Sequence, residues 1–289
     1  MTGVIRVATA NLLEGGLDRG EAADRWALAV AALAAWRPHV ACVQEMATFR
    51  DPQRLWQHLW ATANALGMWP VLGPEGGESG NHTAIFVDTA TAVIADQGPP
   101  PGSRSQDWCE VLLQIRPAGT SVRIYNVHLP PGSAAEQLPI AQRLASIIAR
   151  RSEVAVAAGD WNCWAPADQV TTAALTRMPA HLRAARMHMS DGEPAAVNYA
   201  VHDTLTGAGL VDAVAGLGED RRDPPQLRPT GINGGGRVDR FYVTSELWDA
   251  GAVLSAAQQE SGGASDHEFS LLTIGLAELA RADAPGTQQ

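Results

Sequence analysis

Oxygen-bearing side chains recur at the ends of short apolar runs. Residues 4–9 lead to Asn11, and 39–43 lead to Gln44 and Glu45. Residues 122–127 carry Asn126 and lead to His128, and 154–158 lead to Gly159, Asp160 and Asn162. Asp239 lies in the run 238–244, and Ser265, Asp266 and His267 precede 269–274. Glu45, Asp160, Asp266, Asn11 and Asn162 form an oxygen-donor set, which suits a hard cation such as Mg²⁺ or Mn²⁺ and suits zinc poorly. His128 and His267 exchange protons near neutral pH. A cation polarises a phosphoryl oxygen, while histidines and carboxylates activate water and protonate a leaving oxygen. Phosphoester cleavage needs each of these parts.

Such groups converge only if rigid elements carry them to one rim. The runs 4–9, 39–43, 83–87, 110–116, 122–127, 154–158, 238–244, 252–256 and 269–274 are predicted strands, short, apolar and punctuated by Gly or Pro. Helical spacing marks 25–36, 52–66 and 134–151, the last in spite of Pro139. Residues 73–80 and 232–236 are predicted glycine-rich turns, 99–102 an exposed connection, and 168–218 mainly helix and loop. Strands that outnumber helices, arriving singly and in pairs, predict an α/β fold of two packed sheets with helices outside. With no repeat and no linker between balanced halves, one domain over 1–280 is expected, with a frayed tail at 281–289.

At 289 residues, 46% hydrophobic and 18% charged, the chain can bury a large core. Its start lacks a signal-peptide pattern, no apolar run is long enough to span a bilayer, and Cys42, Cys109 and Cys163 match neither a zinc cluster nor a disulfide framework. A cytoplasmic location without membrane contact is the expectation; oligomeric state stays open. The net charge is −10 and every basic residue is arginine. Residues 177–240 balance eight arginines against eight acids, and no segment is basic. Tight duplex binding rests on several cation–phosphate contacts, so only arginines gathered by folding, Arg183, Arg186, Arg221 and Arg222 among them, would supply a groove.

Asn11, Gln44-Glu45, Asn126-Val127-His128-Leu129, Gly159-Asp160-Trp161-Asn162, Arg237-Val238-Asp239 and Ser265-Asp266-His267 resemble, in order, the successive motifs of the endonuclease/exonuclease/phosphatase superfamily. The resemblance covers residues 4–275. It implies a deoxyribonuclease I-like four-layer α/β sandwich of two mainly antiparallel sheets flanked by helices. It also implies hydrolysis of a phosphodiester P–O bond with one or two Mg²⁺ or Mn²⁺ ions, in a nucleic acid or a small molecule. On this resemblance Glu45 is the principal metal ligand, helped by Asn11 and Asp266. Asp160 and Asn162 orient the nucleophile, or hold a second metal and bind phosphate. His267, polarised by Asp239, faces the scissile phosphate as base or electrostatic stabiliser, and His128 is the acid on the leaving-group side.

Abasic-site endonucleases of the family carry an acid where this chain has Leu13, and tend to carry Tyr at the place of His128. The Asn-x-His-Leu form is closer to the deoxyribonuclease I, sphingomyelinase and phosphatase branches, so abasic-site repair is disfavoured. Asn126, Asn81 and His82 are candidate substrate contacts. Trp161, Trp164 and Trp108 either stack on a flat group or pack beside the site. Asn11 and Asp239 alone could satisfy backbone groups, Gln44 braces its neighbours, and Cys163 is expected to be inert. A small sugar, inositol or nucleotide phosphate is the alternative substrate, favoured by the acidic surface. An inactive binding module is the remote one, since the carboxylates and histidines are all present.

Overall fold

The computed structural model describes residues 3–17, 24–46, 52–76, 81–98, 108–117, 119–168, 178–190, 193–220, 229–231 and 236–283, with Val170 and Leu175. Fourteen strands are found among them. Six build one sheet in the order β13-β14-β1-β2-β4-β3. They are β1 (Val4–Asn11), β2 (Val40–Met46), β3 (Trp69–Gly76), β4 (Asn81–Val87), β13 (Val253–Gln259) and β14 (Phe269–Gly275). The second sheet runs β11-β12-β8-β7-β6-β5. It contains β5 (Ala92–Gln97), β6 (Trp108–Ile115), β7 (Thr120–His128), β8 (Ala155–Asp160), β11 (Leu210–Asp212) and β12 (Asp239–Thr244). Strands β9 (Met187–Ser190) and β10 (Glu193–Val197) form a separate hairpin.

Each large sheet is antiparallel except for one parallel pair, β1 with β2 and β7 with β8. Parallel neighbours need a crossover. Helix α1 (Asp24–Ala35) lies between β1 and β2 in sequence, and α3 (Ala134–Arg151) between β7 and β8. The Glu136 carboxylate accepts the Ser133 N–H at the start of α3, so the helix is anchored before Pro139 interrupts its ladder. Helix α2 is Pro52–Leu66, and the later helices are α4 (Ala180–Arg186), α5 (Ala200–Gly207), α6 (Ala213–Asp220), α7 (Ser245–Asp249) and α8 (Leu276–Ala282).

The period-two alternation of a strand sorts side chains into layers. Ile5, Val7, Val40, Cys42, Val122, Ile124, Val156, Ala158, Phe241 and Val243 form the core between the sheets. Ala8, Ala10, Ala41 and Val43 face outward with Ala29 and Leu33 of α1 and Leu59 and Ala63 of α2. On the other side Tyr125, Val127, Ala155 and Ala157 join Leu144 and Ile148 of α3 and Val201 and Leu205 of α5. Four layers result, α/β/β/α. Each buried Val, Ile, Leu or Phe contributes about 1.5–3 kcal/mol, so the inter-sheet layer is the main cohesion between the sheets.

Five strands depart from expectation. The predicted turn at 73–80 begins inside β3, and residues 77–80 lie outside the described residues, as do 99–102 and 232–235 of the other predicted connections. β3 is an edge strand, where Pro70 and Pro74 are tolerated because one side needs no ladder donor. β5 and β11, also edges, are short and weakly apolar. The β9–β10 hairpin and β11 lie in the stretch read as helix and loop.

Candidate active site

Strand parity extends the inward face of each central strand toward one rim. Thr9 and Asn11 continue Ile5 and Val7; Gln44 continues Cys42; Asn126 and His128 continue Ile124; Asp160 continues Ala158; Asp239 precedes Phe241. The parallel registers set Asn11 beside Gln44 and His128 beside Asp160, and the antiparallel one sets Asp239 beside Asp160. The polar rim is therefore the C-terminal end of both parallel pairs.

Glu45 has the wrong parity and reaches the rim by a different device. The β2–β4 register shifts between Val43 and Met46, and Glu45 has φ 55°, the left-handed region costly for a side chain. The irregularity re-aims its carboxylate. Gly159 serves the same rim: at φ 150°, a Cβ would lie 1.9 Å from the Val127 carbonyl oxygen, so only glycine lets β8 close on β7 before Asp160.

Asn11 Nδ2 donates to Glu45 Oε1 at 3.0 Å and to Asp160 Oδ2 at 3.1 Å. His128 Nε2 lies 3.9 and 3.8 Å from the same two oxygens. The second Glu45 oxygen accepts the Glu14 N–H at 3.0 Å and Asn81 Nδ2 at 3.3 Å. On the far side of Asp160, His267 Nε2 is 3.7 Å from Oδ2, while Nδ1 meets Asp239 Oδ2 at 2.8 Å. Asp266 Oδ1 lies 4.0 Å from His267 Nε2. Asp160, Asp239 and His267 present ligand atoms within 4.8 Å of one another. The structure thus brings Asn11, Glu45, Asn81, His128, Asp160, Asn162, Asp239, Asp266 and His267 to one place.

Burial alone would raise the Asp160 carboxyl, but His267 and His128, with the Asn162 N–H and the Asn11 amide, hold it below the usual range. His267 moves the other way. Burial lowers it, yet Asp239 and Asp160 outweigh that and raise it to about 10, so it is an imidazolium at neutral pH. Asp239 is pushed up by its burial in spite of His267.

Several expected contacts take other roles. Asn126, expected to touch substrate, is fully buried; its Nδ2 donates to the Val43 and Ala84 carbonyls at 2.8 Å each, and its Oδ1 accepts Gln44 Nε2 at 2.5 Å. It joins the two sheets beneath the rim. Trp161 is wholly enclosed, edge-on to Tyr242 at 4.9 Å with Nε1 on the Arg240 carbonyl, so it packs and does not stack on a ligand. Trp164 and Trp108 are likewise buried. His82 Nδ1 pairs with the Gly73 carbonyl of β3 at 3.0 Å. Asn11, expected as a metal ligand, lies at the rim with its Oδ1 accepting the Leu13 N–H at 2.9 Å and its Nδ2 donating to Glu45 and Asp160. Burial pushes the Cys163 thiol up to about 12, in keeping with an inert group.

Sequence reasoning missed the layer that fixes this rim. Ser265 Oγ donates to the Asn11 carbonyl at 2.7 Å and accepts the His267 N–H at 3.1 Å, tying β1 to the histidine. Thr230 Oγ1 accepts the N–H groups of Val238 and Asp239. Arg237 and Arg240, fully buried, pair with Asp212 and Asp168 and lock the 161–168 segment to β12. The only signal for this network was arginine flanking Val238-Asp239. Asn162, at φ 45°, is held on four sides: its N–H on Asp160 Oδ1, its Nδ2 on the Leu129 carbonyl, Gln137 Nε2 on its carbonyl, and Arg186 Nη2 on its Oδ1 at 3.2 Å. Arg221 and Arg222 lie outside the described residues.

Two mixed sheets flanked by helices, with acids and histidines where the two parallel pairs end, define the deoxyribonuclease I-like sandwich. Residues 8–267 match the Endonuclease/Exonuclease/phosphatase family, and the chain belongs to it. Similar solved structures include the AP endonuclease LMAP from Leishmania major, at 15% identity and TM-score 0.63, covering 94% of this chain and 88% of that one. D. rerio TDP2 complexed with single strand DNA product is 17% identical with TM-score 0.57, over 93% of this chain and 98% of that one. An endonuclease/exonuclease/phosphatase from Bacteroides vulgatus has 15% identity and TM-score 0.59, covering 94% and 98%. At these identities the likeness is one of fold. No curated protein matches the chain. No helix among the described residues is long and apolar enough to cross a membrane.

Proposed function

We propose that the chain is a divalent-metal-dependent phosphoesterase that hydrolyses a phosphodiester P–O bond. The convergence of Glu45, Asp160, His128 and the Asp239–His267 pair on one rim carries this reading. The donor set fits a hard cation. Among the described residues the only basic side chains within ion-pair distance of Glu45, Asp160 and Asp239 are the two histidines. Glu45 and Asp266 would hold Mg²⁺ or Mn²⁺ beside Asp160. When bound, the ion supplies positive charge that polarises a phosphoryl oxygen.

The chain's own residues account for the proton transfers. Asp160, kept ionised, is the acceptor for a proton of the attacking water, whose oxygen bonds to phosphorus as the bond to the leaving oxygen breaks. His128, on the Glu45 side of Asp160, delivers a proton to the leaving oxygen. His267, cationic against Asp239, faces the phosphoryl oxygens as an electrostatic stabiliser, the role its raised pKa favours over that of a base. Asn11 and Asn81 orient the carboxylates.

Fold-level likeness to an AP endonuclease and to TDP2 in complex with a DNA product supports a nucleic acid as the phosphodiester. A small phosphoester is the second reading, favoured by charge. The chain carries −10 with no lysine, and Arg123, Arg237 and Arg240 are consumed in buried ion pairs with acids.

The deciding assay compares plasmid, single-stranded DNA, RNA, bis-p-nitrophenyl phosphate and p-nitrophenyl phosphate, each with Mg²⁺, Mn²⁺ or chelator. Turnover should vanish with chelator and return with either ion. Glu45→Gln should lose most activity while melting cooperatively. Chelator-resistant turnover would refute the metal-dependent mechanism.

A further inference from the structure

Arg186, at the end of α4, is 7% exposed. Its Nη2 donates to Asn162 Oδ1, and its guanidinium lies over the Trp164 ring at 5.5 Å from the centroid. Among the described residues no carboxylate comes within ion-pair distance of it, and its buried Nε–H has no acceptor. The other buried arginines differ. Arg123 pairs with Glu110 and Glu153, and Arg237 and Arg240 share Asp168 and Asp212. Burying a guanidinium without a carboxylate in contact is costly, and the face of Trp164 and the more distant Asp160 charge compensate only in part. Among the described residues three buried arginines are neutralised by carboxylates in contact, and the fourth has none in contact; it lies beside Asn162, whose backbone N–H donates to Asp160 Oδ1.

We propose that Arg186 is an anion receptor that binds a phosphate group of the substrate on the Asn162 side of the rim. This rests on the phosphoesterase reading. A guanidinium offers five N–H donors in a planar fork matched to phosphate oxygens, and Arg186 uses one in a hydrogen bond within the described residues. The arriving phosphate neutralises the buried charge, so substrates that place a phosphate there are favoured over neutral esters.

The experiment is a thermal-shift titration with inorganic phosphate in Mg²⁺ buffer, on the full chain and on Arg186→Met. Phosphate should raise the Tm of the parent with increasing concentration, as any ligand of the native state does. Arg186→Met should abolish the shift while melting, without phosphate, at the parent's Tm or above, because an unpaired buried charge is gone. Its KM for bis-p-nitrophenyl phosphate should rise at least about tenfold, as expected for the loss of about 1.4 kcal/mol of binding. An undiminished phosphate shift with unchanged KM would reduce Arg186 to a brace for Asn162. If Arg186→Met does not fold, the ¹⁵Nε–¹H resonance of Arg186 in the parent decides, and an unmoved signal on phosphate addition overturns the proposal. A parent that hydrolyses no phosphoester but shows the Arg186-dependent shift removes the enzymatic reading and keeps the receptor. An active parent whose phosphate binding ignores Arg186 does the reverse.

Discussion

Replacing Asp239 by asparagine keeps the side chain's shape and deletes the charge opposite His267. Their contact is 2.8 Å and buried, and His267 titrates at about 10 because Asp239 and Asp160 outweigh the burial that lowers it. A hydrogen bond to a charged group contributes about 1.5–3 kcal/mol. At about 1.36 kcal/mol per unit, the His267 pKa should fall by about one to two units in Asp239→Asn. The folded value lies above the unfolded 6.5, so this stabilisation is fully present below pH 6.5 and is lost as pH rises through about 10. The variant should thus lose about 1.5–3 kcal/mol more than the parent at low pH than at high pH. Relief of the buried Asp239 charge adds a nearly constant offset above its own titration. The narrowing of the gap with pH is therefore the readout, not its absolute size. Histidine NMR titrations in chelator would report the pKa, and urea melts at several pH values the stability. A His267 pKa unchanged in the variant, or a stability gap independent of pH, would refute the electrostatic pairing.

His128→Ala should lose at least about a hundredfold in kcat, the low end for a general acid, while keeping a cooperative melt; near-normal turnover would make His128 a structural partner of Glu45 and Asp160. Asn126→Ala strips the Val43 and Ala84 carbonyls of the Asn126 amide, while Gln44 Nε2 keeps Thr9 Oγ1 and the Cys42 carbonyl as acceptors. Urea denaturation should show a loss of about 2–4 kcal/mol, since each orphaned buried group costs about 1–3 kcal/mol, and a negligible change would contradict the bridging role. Asp160→Asn, titrated with duplex DNA over a salt series, should bind weakly with a shallow slope. A steep slope, the sum of about −0.9 from each of several phosphate contacts, would mean that arginines are gathered into a groove.

Strand parity is local, and for that reason most of the rim was legible. Once 122–127 and 154–158 are strands, a period of two carries Asn126, His128 and Asp160 onto one face whatever surrounds them. The Gly159-Asp160 pair was visible as a motif, but the need for glycine against the Val127 carbonyl came only with the packing of β8 on β7. Edge strands β3, β5 and β11 were not legible, since a strand that buries little apolar surface leaves little pattern. The division of labour among the polar side chains was beyond the sequence altogether. Asn11, Asn81 and Asn126 look alike at strand ends, yet one orients two carboxylates, one braces Glu45, and one holds carbonyls of two strands of the opposite sheet. Glu45 reaches the rim through a register shift and a left-handed residue that no spacing announces. Which arginines find a buried carboxylate and which, like Arg186, find none among the described residues depends on partners far apart in the chain. The order of the residues determines the direction a side chain takes from its strand, but what it meets there is decided by the packing of one sheet on the other.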